Sequence, residues 1–345
     1  SRRTPLVGRG AELETLVGEW QACVRAGTAR VAVIAGDLGT GRTRLLEELL
    51  ARARLDGATT AVVRAVAADR EADGAVLAAL AHAAGLDPGA RGADLHDRLR
   101  DAVSDSSLVL AVDDAGWADS TSLRELERIA SRVTDAPVLM AVVTGRRPGR
   151  ETLTRLSAEL GSGLPGALVT LDRLDYEPMR ELTAWAVPEY DDAAVERLTR
   201  RVAADTAGYP LLAVELLHAV AHGLSPEASV GSWPETGRTL DQTLPGDLPD
   251  TLVAAIRVGF RVLTDSAQRA LSAAAVLDPP ASPERIARAA GLEDDALAGA
   301  LDELEWEHWL VADARGYTFL APLVRDIVAR DMVTEGQKRR MLGRT

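Results

Sequence analysis

Five short apolar runs in the first half of the chain constrain its fold more than any other feature. They are VAVIA at 31–35, AVVRAVA at 61–67, LVLAV at 108–112, VLMAVV at 138–143 and ALVTL at 167–171. Runs that are apolar at consecutive positions read as strands buried on both faces, so a layer must cover each side of the sheet. The intervening stretches have helical spacing, as in Leu45, Leu46, Leu49 and Leu50, or Leu123, Leu126, Ile129 and Ala130. Strands alternating with helices in this way predict an α/β domain, a mostly parallel sheet with helices on both faces, over residues 1–174.

Past that point the pattern changes. Residues 175–222 are helical throughout, broken only at Tyr209-Pro210, and predict a small all-helical unit. Residues 223–247 concentrate Pro, Gly, Ser and Thr and read as a linker. Helices are then expected near 250–263, 265–276, 283–290 and 293–305. The alternating WLVADARGYTFL reads as a hairpin, and a last helix begins after Pro322. Helices closed by a hairpin and another helix predict a winged-helix domain over 248–335, with 336–345 opening a further helix or tail.

Composition narrows the partners. A net charge of −13 argues against an extended surface for nucleic acid or anionic membrane, because both require a basic footprint. Between 251 and 330 there are eight Arg and no Lys against twelve acidic residues, so the expected winged helix has no phosphate-contacting face and no direct DNA binding is expected. Cys23 is the single cysteine, which excludes an internal disulfide and makes a reducing cytoplasm the simplest home. No apolar run reaches the length of a membrane span.

The sequence GDLGTGRT at 36–43 sits between the first apolar run and an amphipathic helix. Its glycines, Gly36, Gly39 and Gly41, have the spacing of a P-loop, in which a glycine-rich bend lets backbone amides approach phosphate oxygens. The helix start contributes unpaired N–H groups and a positive dipole end. Thr43 is expected to give a hydroxyl to Mg²⁺, with Thr40, Arg42 and Arg44 among the nucleotide-contacting residues. Position 42 is Arg where such loops carry Lys. A guanidinium is a broad planar fork rather than a compact charge, so binding is expected to survive while hydrolysis suffers. In LVLAVDDAGWAD at 108–119 an apolar strand ends in Asp113 and Asp114, at the sheet edge where the loop also lies. Asp113 is expected to help hold Mg²⁺, and Asp114 to orient or deprotonate the attacking water.

Together, LVGRGAELETL, GDLGTGRT, LVLAVDDAGWAD, VVTGRRP and TAGYPLLAVELL resemble the STAND class of signal-transducing P-loop ATPases, especially the nucleotide-binding region of large ATP-binding LuxR-type, MalT-like regulators. The resemblance implies a switch binding ATP or ADP, with residues 175–222 as a helical lid. It places Val7, Gly8 and Arg9 beside the adenine, Pro210 packed on the adenine, and Arg146 sensing the γ-phosphate, with Arg147 as second choice. It also implies self-association on exchange of ADP for ATP, and protein partners or a C-terminal effector domain that controls transcription. Two departures weaken catalysis: Arg42, and Ala321 where relatives often carry a His that reaches the nucleotide. The alternative is a degenerate P-loop scaffold that serves as a protein-interaction module without turnover.

Overall fold

The apolar runs pair into one five-stranded sheet. In the computed structural model, which describes residues 4–86, 107–133, 135–146, 150–221, 250–313 and 316–344, these strands are β1 (Arg30–Gly36), β2 (Thr59–Arg64), β3 (Leu108–Asp113), β4 (Val138–Gly145) and β5 (Gly166–Leu171). All neighbours are parallel, in the order β2-β3-β4-β1-β5. Every strand therefore presents its C-terminal end at the same edge. Strand β2 runs over 59–64 rather than the expected 61–67. Its last partner is the last residue of β3, with Arg64 opposite Asp113, and Ala65 donates its N–H to the Asp113 carbonyl at 2.9 Å. Beyond that β3 has ended, and the chain turns into a short 3₁₀ segment, Ala67–Glu71.

Helices α1 (Gly10–Ala26), α2 (Arg42–Leu55), α3 (Ala75–Ala83), α4 (Ser120–Arg132) and α5 (Glu151–Glu159) cover this sheet. On one face Val31, Val33, Leu110, Val112, Met140 and Val142 share a core with Leu77, Leu80, Leu123, Leu126, Leu153 and Leu156 of α3, α4 and α5. The alternate residues Ile34, Val109, Leu139 and Val143 are equally buried and project to the opposite face by the two-residue pleat. There α1 and α2 pack on each other and on β1. Full burial of a leucine such as Leu45 or Leu49 contributes about 1.5–3 kcal/mol, so the helical spacing of these residues is what fixes α2 to the sheet. Gly166 opens β5 at φ +155°, and a Cβ there would lie 2.0 Å from the Val31 carbonyl oxygen.

The described residues form two compact units, one of Gly8–Asp172 and the other of Ser1–Val7 with Arg173–Thr345. In the second, α6 (Tyr176–Ala186), α7 (Asp192–Thr206) and α8 (Pro210–Ala221) pack around Met179, Leu182, Val195, Leu198, Val202 and Leu216. The side chain of Val7, 6% exposed, belongs to this core. Pro210 occupies the first position of α8, where its missing N–H removes no helical bond. The turn before it brings Gly208 onto Leu174, whose N–H donates to the Gly208 carbonyl at 2.8 Å.

Among the described residues the next helices are α9 (Asp250–Val262), α10 (Asp265–Val276), α11 (Pro283–Ala290) and α12 (Asp294–Trp306). Local chemistry sets their ends. Thr264 and Ser282 cap α10 and α11 through their side chains, Pro283 starts α11, and Gly291 ends it in the left-handed conformation. An antiparallel pair, β6 (Leu310–Asp313) and β7 (Gly316–Phe319), comes next, and Ala281 exchanges two backbone hydrogen bonds with Tyr317 of β7 at 2.8 and 2.9 Å. The chain ends in α13 (Pro322–Ile327), a π turn over Val328–Met332, and α14 (Glu335–Leu342). The expected linker 223–247 and Arg147 lie outside the described residues. Among the described residues no helix is long and apolar enough to cross a membrane.

Candidate functional site

The bend between β1 and α2 is shaped for an anion. Gly39 and Gly41 have φ of 84° and 94°, a region that L side chains rarely adopt. At Gly36 an added Cβ would meet Thr40 Oγ1 at 2.7 Å and Leu171 Cβ at 3.1 Å, so only glycine keeps the bend closed. Thr40 is buried, and both its N–H and its hydroxyl donate to the Asp37 carbonyl, at 3.3 and 2.9 Å. The Thr40 side chain thus knits the loop together. Past Gly41, the N-cap of α2, the first amides have no intrahelical acceptor and carry the positive end of the helix dipole. Arg44 pairs along its own helix with Glu48 at 2.6 Å.

Across from the loop stands the acidic end of β3. Thr43 Oγ1 donates to Asp113 Oδ2 at 2.9 Å, and the Asp114 N–H donates to Asp113 Oδ1 at 3.0 Å. Asp113 is 3% exposed. Burial and then the neighbouring Asp114 charge push its carboxyl above the ordinary range, against the opposing pull of these two hydrogen bonds. Asp114 is left-handed, with φ 52° and ψ 41°, which turns its side chain away from the strand direction. Its carboxylate accepts from Arg64 Nε and Nη2 at 3.0 and 2.9 Å, and Arg42 Nη2 lies 3.7 Å away. Burial lowers the Arg42 pKa while Asp114, Asp113 and Asp37 raise it in turn. Arg42 therefore leans on the second acid, and two guanidinium groups face two carboxylates.

Arg64 has no counterpart in the sequence reading. Only the register of β2 against β3 puts it beside the acidic pair, and its one sequence signal is its place at the C-terminal end of a strand. Arg146 follows β4 directly. Its N–H donates to the Gly36 carbonyl at 3.1 Å, its Nε lies 3.6 Å from the Asp37 carboxylate, and its Nη2 bonds the Leu171 carbonyl at 3.2 Å and the Asp172 carboxylate. Arg9 is 6% exposed. It donates to the carbonyls of Thr40, at 3.4 Å, and Asp172, and pairs with Glu12 at 3.2 Å. The sheet unit thus gathers Arg9, Gly36, Gly39, Thr40, Gly41, Arg42, Thr43, Asp113, Asp114 and Arg146, and Gly8 is its first residue. Val7 and Pro210 belong to the helical unit.

Other groups nearby serve the scaffold. Trp117 is half-buried against the sheet core, with the Arg70 guanidinium 5.7 Å from its ring centre. The buried Asp119 carboxylate accepts from the N–H groups of Gly74, Val76 and Ser122 and from the Ser122 hydroxyl. Burial pushes the Cys23 thiol up to about 12, which excludes thiolate chemistry there. Among the described residues no cluster of three or more His, Cys, Asp or Glu side chains could hold a metal ion.

A glycine bend followed by a helix, with a hydroxyl hydrogen-bonded to a strand-end carboxylate, is the layout of a P-loop ATPase. The protein family described as AAA ATPase domain matches residues 5–143. No curated protein matches the sequence. The chain is similar in fold to the Walker-type ATPase of Pyrococcus abyssi, at 13% identity and a TM-score of 0.60, over 95% of this chain and 97% of that one. It is equally similar to the ORC2 protein of Aeropyrum pernix solved in ADPNP-ADP complexes, at 13% identity and a TM-score of 0.60, covering 98% of this chain and 95% of that one. A STAND protein of Pyrococcus horikoshii with a tetratricopeptide repeat sensor aligns at 16% identity over 99% of this chain and 45% of its own, but its TM-score of 0.41 is too low to carry weight. At these identities the likeness is one of fold alone.

Proposed function

We infer that the chain is a nucleotide-dependent switch that binds ATP or ADP with Mg²⁺ and turns it over slowly. The observation that carries this reading is the 2.9 Å hydrogen bond from Thr43 at the start of α2 to Asp113 at the end of β3, beside a bend whose shape depends on three glycines. The donor set fits. The left-handed glycines and the first amides of α2 suit a polyphosphate, and a hydroxyl beside a carboxylate suits a hard cation that prefers oxygen. Thr43 and Asp113 would hold Mg²⁺, which when bound supplies positive charge that neutralises the phosphates. Asp114 would orient the attacking water, but in the structure Arg64 and Arg42 restrain it, and Arg42 replaces the compact Lys charge. Slow turnover follows from both features.

The switch reading draws on the ordered motifs and on the helical unit that follows the sheet. The single bridge from Ala281 to Tyr317 sets one residue of the segment before α11 against β7, which supports a winged helix over 248–335, with α12 as the helix that would enter a DNA groove. Yet α12 carries Asp294, Asp295, Asp302, Glu303 and Glu305 and no basic residue. We therefore assign that module to protein contacts rather than DNA, with a cytoplasmic location, self-association on ATP binding and transcriptional control through an effector region outside these residues. Calorimetric titration with ATP and ADP, with and without Mg²⁺, tests the core claim. Saturable binding strengthened by Mg²⁺ is expected, and no binding up to millimolar nucleotide overturns it.

The contacts of Arg42 and Arg64 with Asp114 favour a second reading, a P-loop scaffold that engages partners without turnover. Arg42→Lys separates the two. The switch reading expects faster hydrolysis from the variant, whereas a scaffold stays inactive with either residue.

A further inference from the structure

Arg9 is a buried cation whose contacts are mostly to main-chain oxygen. Its guanidinium bonds the Thr40 carbonyl inside the phosphate loop and the Asp172 carbonyl just past β5. The peptide joining Thr40 to Gly41 is planar and trans, so its C=O and N–H point in opposite directions. Holding the Thr40 carbonyl outward on Arg9 therefore aims the Gly41 N–H inward, toward the hollow of the bend. Nothing else described fixes this peptide as directly. Gly41 is left-handed at φ 94° and has no side chain to limit rotation, and the Thr40 hydroxyl is engaged by Asp37 on the other side of the residue.

We propose that Arg9 is a positioning residue for phosphate binding, acting through the Thr40–Gly41 peptide rather than touching the base. The ligand class it serves is any polyphosphate, with or without a nucleoside. One terminal nitrogen, Nη2, donates to both carbonyls, 132 residues apart in sequence; the planar guanidinium fixes the directions of its two N–H bonds, whereas a Lys ammonium on a flexible stem leaves them free to rotate. The second anchor at Asp172 gives the loop a fixed reference on the sheet.

This inference rests on the loop binding phosphate at all, and the test separates the two claims. Calorimetry on the full chain compares wild type, Arg9→Lys, Arg9→Ala and Glu12→Gln, with ADP and with pyrophosphate as probes, and thermal melting is followed in parallel. Both Arg9 variants should weaken ADP and pyrophosphate by a similar factor of about ten, which corresponds to about 1.4 kcal/mol. Glu12→Gln removes only the ion pair at the rim and should bind as wild type does. An affinity of Arg9→Lys within twofold of wild type overturns the proposal. So does a loss confined to ADP, which marks a base contact, or a collapse of the melting temperature of Arg9→Lys, which marks a purely structural role. A wild type that binds ADP but not pyrophosphate also overturns it, and a wild type that binds neither removes the function proposed above instead.

Discussion

Replacing Asp119 by Ala should reveal how firmly the starts of α3 and α4 are held together. The carboxylate accepts four hydrogen bonds, from Gly74 N at 2.9 Å, Val76 N at 3.3 Å, Ser122 N at 2.8 Å and Ser122 Oγ at 2.6 Å, and it is 2% exposed. Loss of the Ser122 N–H bond removes the N-cap of α4, worth about 1 kcal/mol. The amides of Gly74 and Val76 are left buried without that acceptor at about 1–3 kcal/mol each, so the total is about 3–7 kcal/mol. That is a large share of the roughly 5–15 kcal/mol that holds an ordinary domain together. Burial pushes the Asp119 carboxyl up, but the bonds from Ser122, Gly74 and Val76 outweigh it and leave its pKa below the ordinary value. A depressed folded pKa means that this stabilisation is complete above the unfolded value of about 3.9 and disappears as pH falls through the folded one. Urea denaturation followed by circular dichroism at neutral pH and across the acid range measures both effects. A loss below about 1 kcal/mol for Asp119→Ala, or an unchanged acid limb in Asp119→Asn, would refute the reasoning.

Three other substitutions probe the sheet unit. Gly166→Ala places a Cβ against the Val31 carbonyl and should lower stability by more than about 2 kcal/mol in the same denaturation assay, because the contact is to backbone that cannot swing away. Thr43→Val keeps the volume but removes the hydroxyl on Asp113, and should abolish the strengthening of ADP binding by Mg²⁺ in calorimetry while leaving metal-free binding within about threefold. Arg64→Ala frees one side of Asp114 and should raise the steady-state rate of phosphate release at unchanged ADP affinity, whereas a fall would show that Arg64 orients Asp114 rather than restrains it.

The sheet and its order of helices were legible because their signals are local. Consecutive apolar residues mark β3 and β4, and Thr264, Ser282, Pro283 and Gly291 announce helix ends within a few positions. Gly36, Gly39, Gly41, Thr43 and Asp113 were legible for the same reason, since one short bend and one strand end carry them. What escaped depends on distant register. Arg64 meets Asp114 only because β2 and β3 align residue for residue, and Arg9 meets Asp172 across 163 positions. The early end of β2, three residues before that of its apolar run, has the same origin, since the strand ends where its neighbour ends.

The place of Val7 makes the sheet unit an insertion within the helical one. A fragment spanning 8–172 would keep all of its own core, and Arg9 on Asp172 would hold its two cut ends together. A fragment starting at 173 would instead lack one buried member of its own core, which a peptide carrying Val7 could supply in trans.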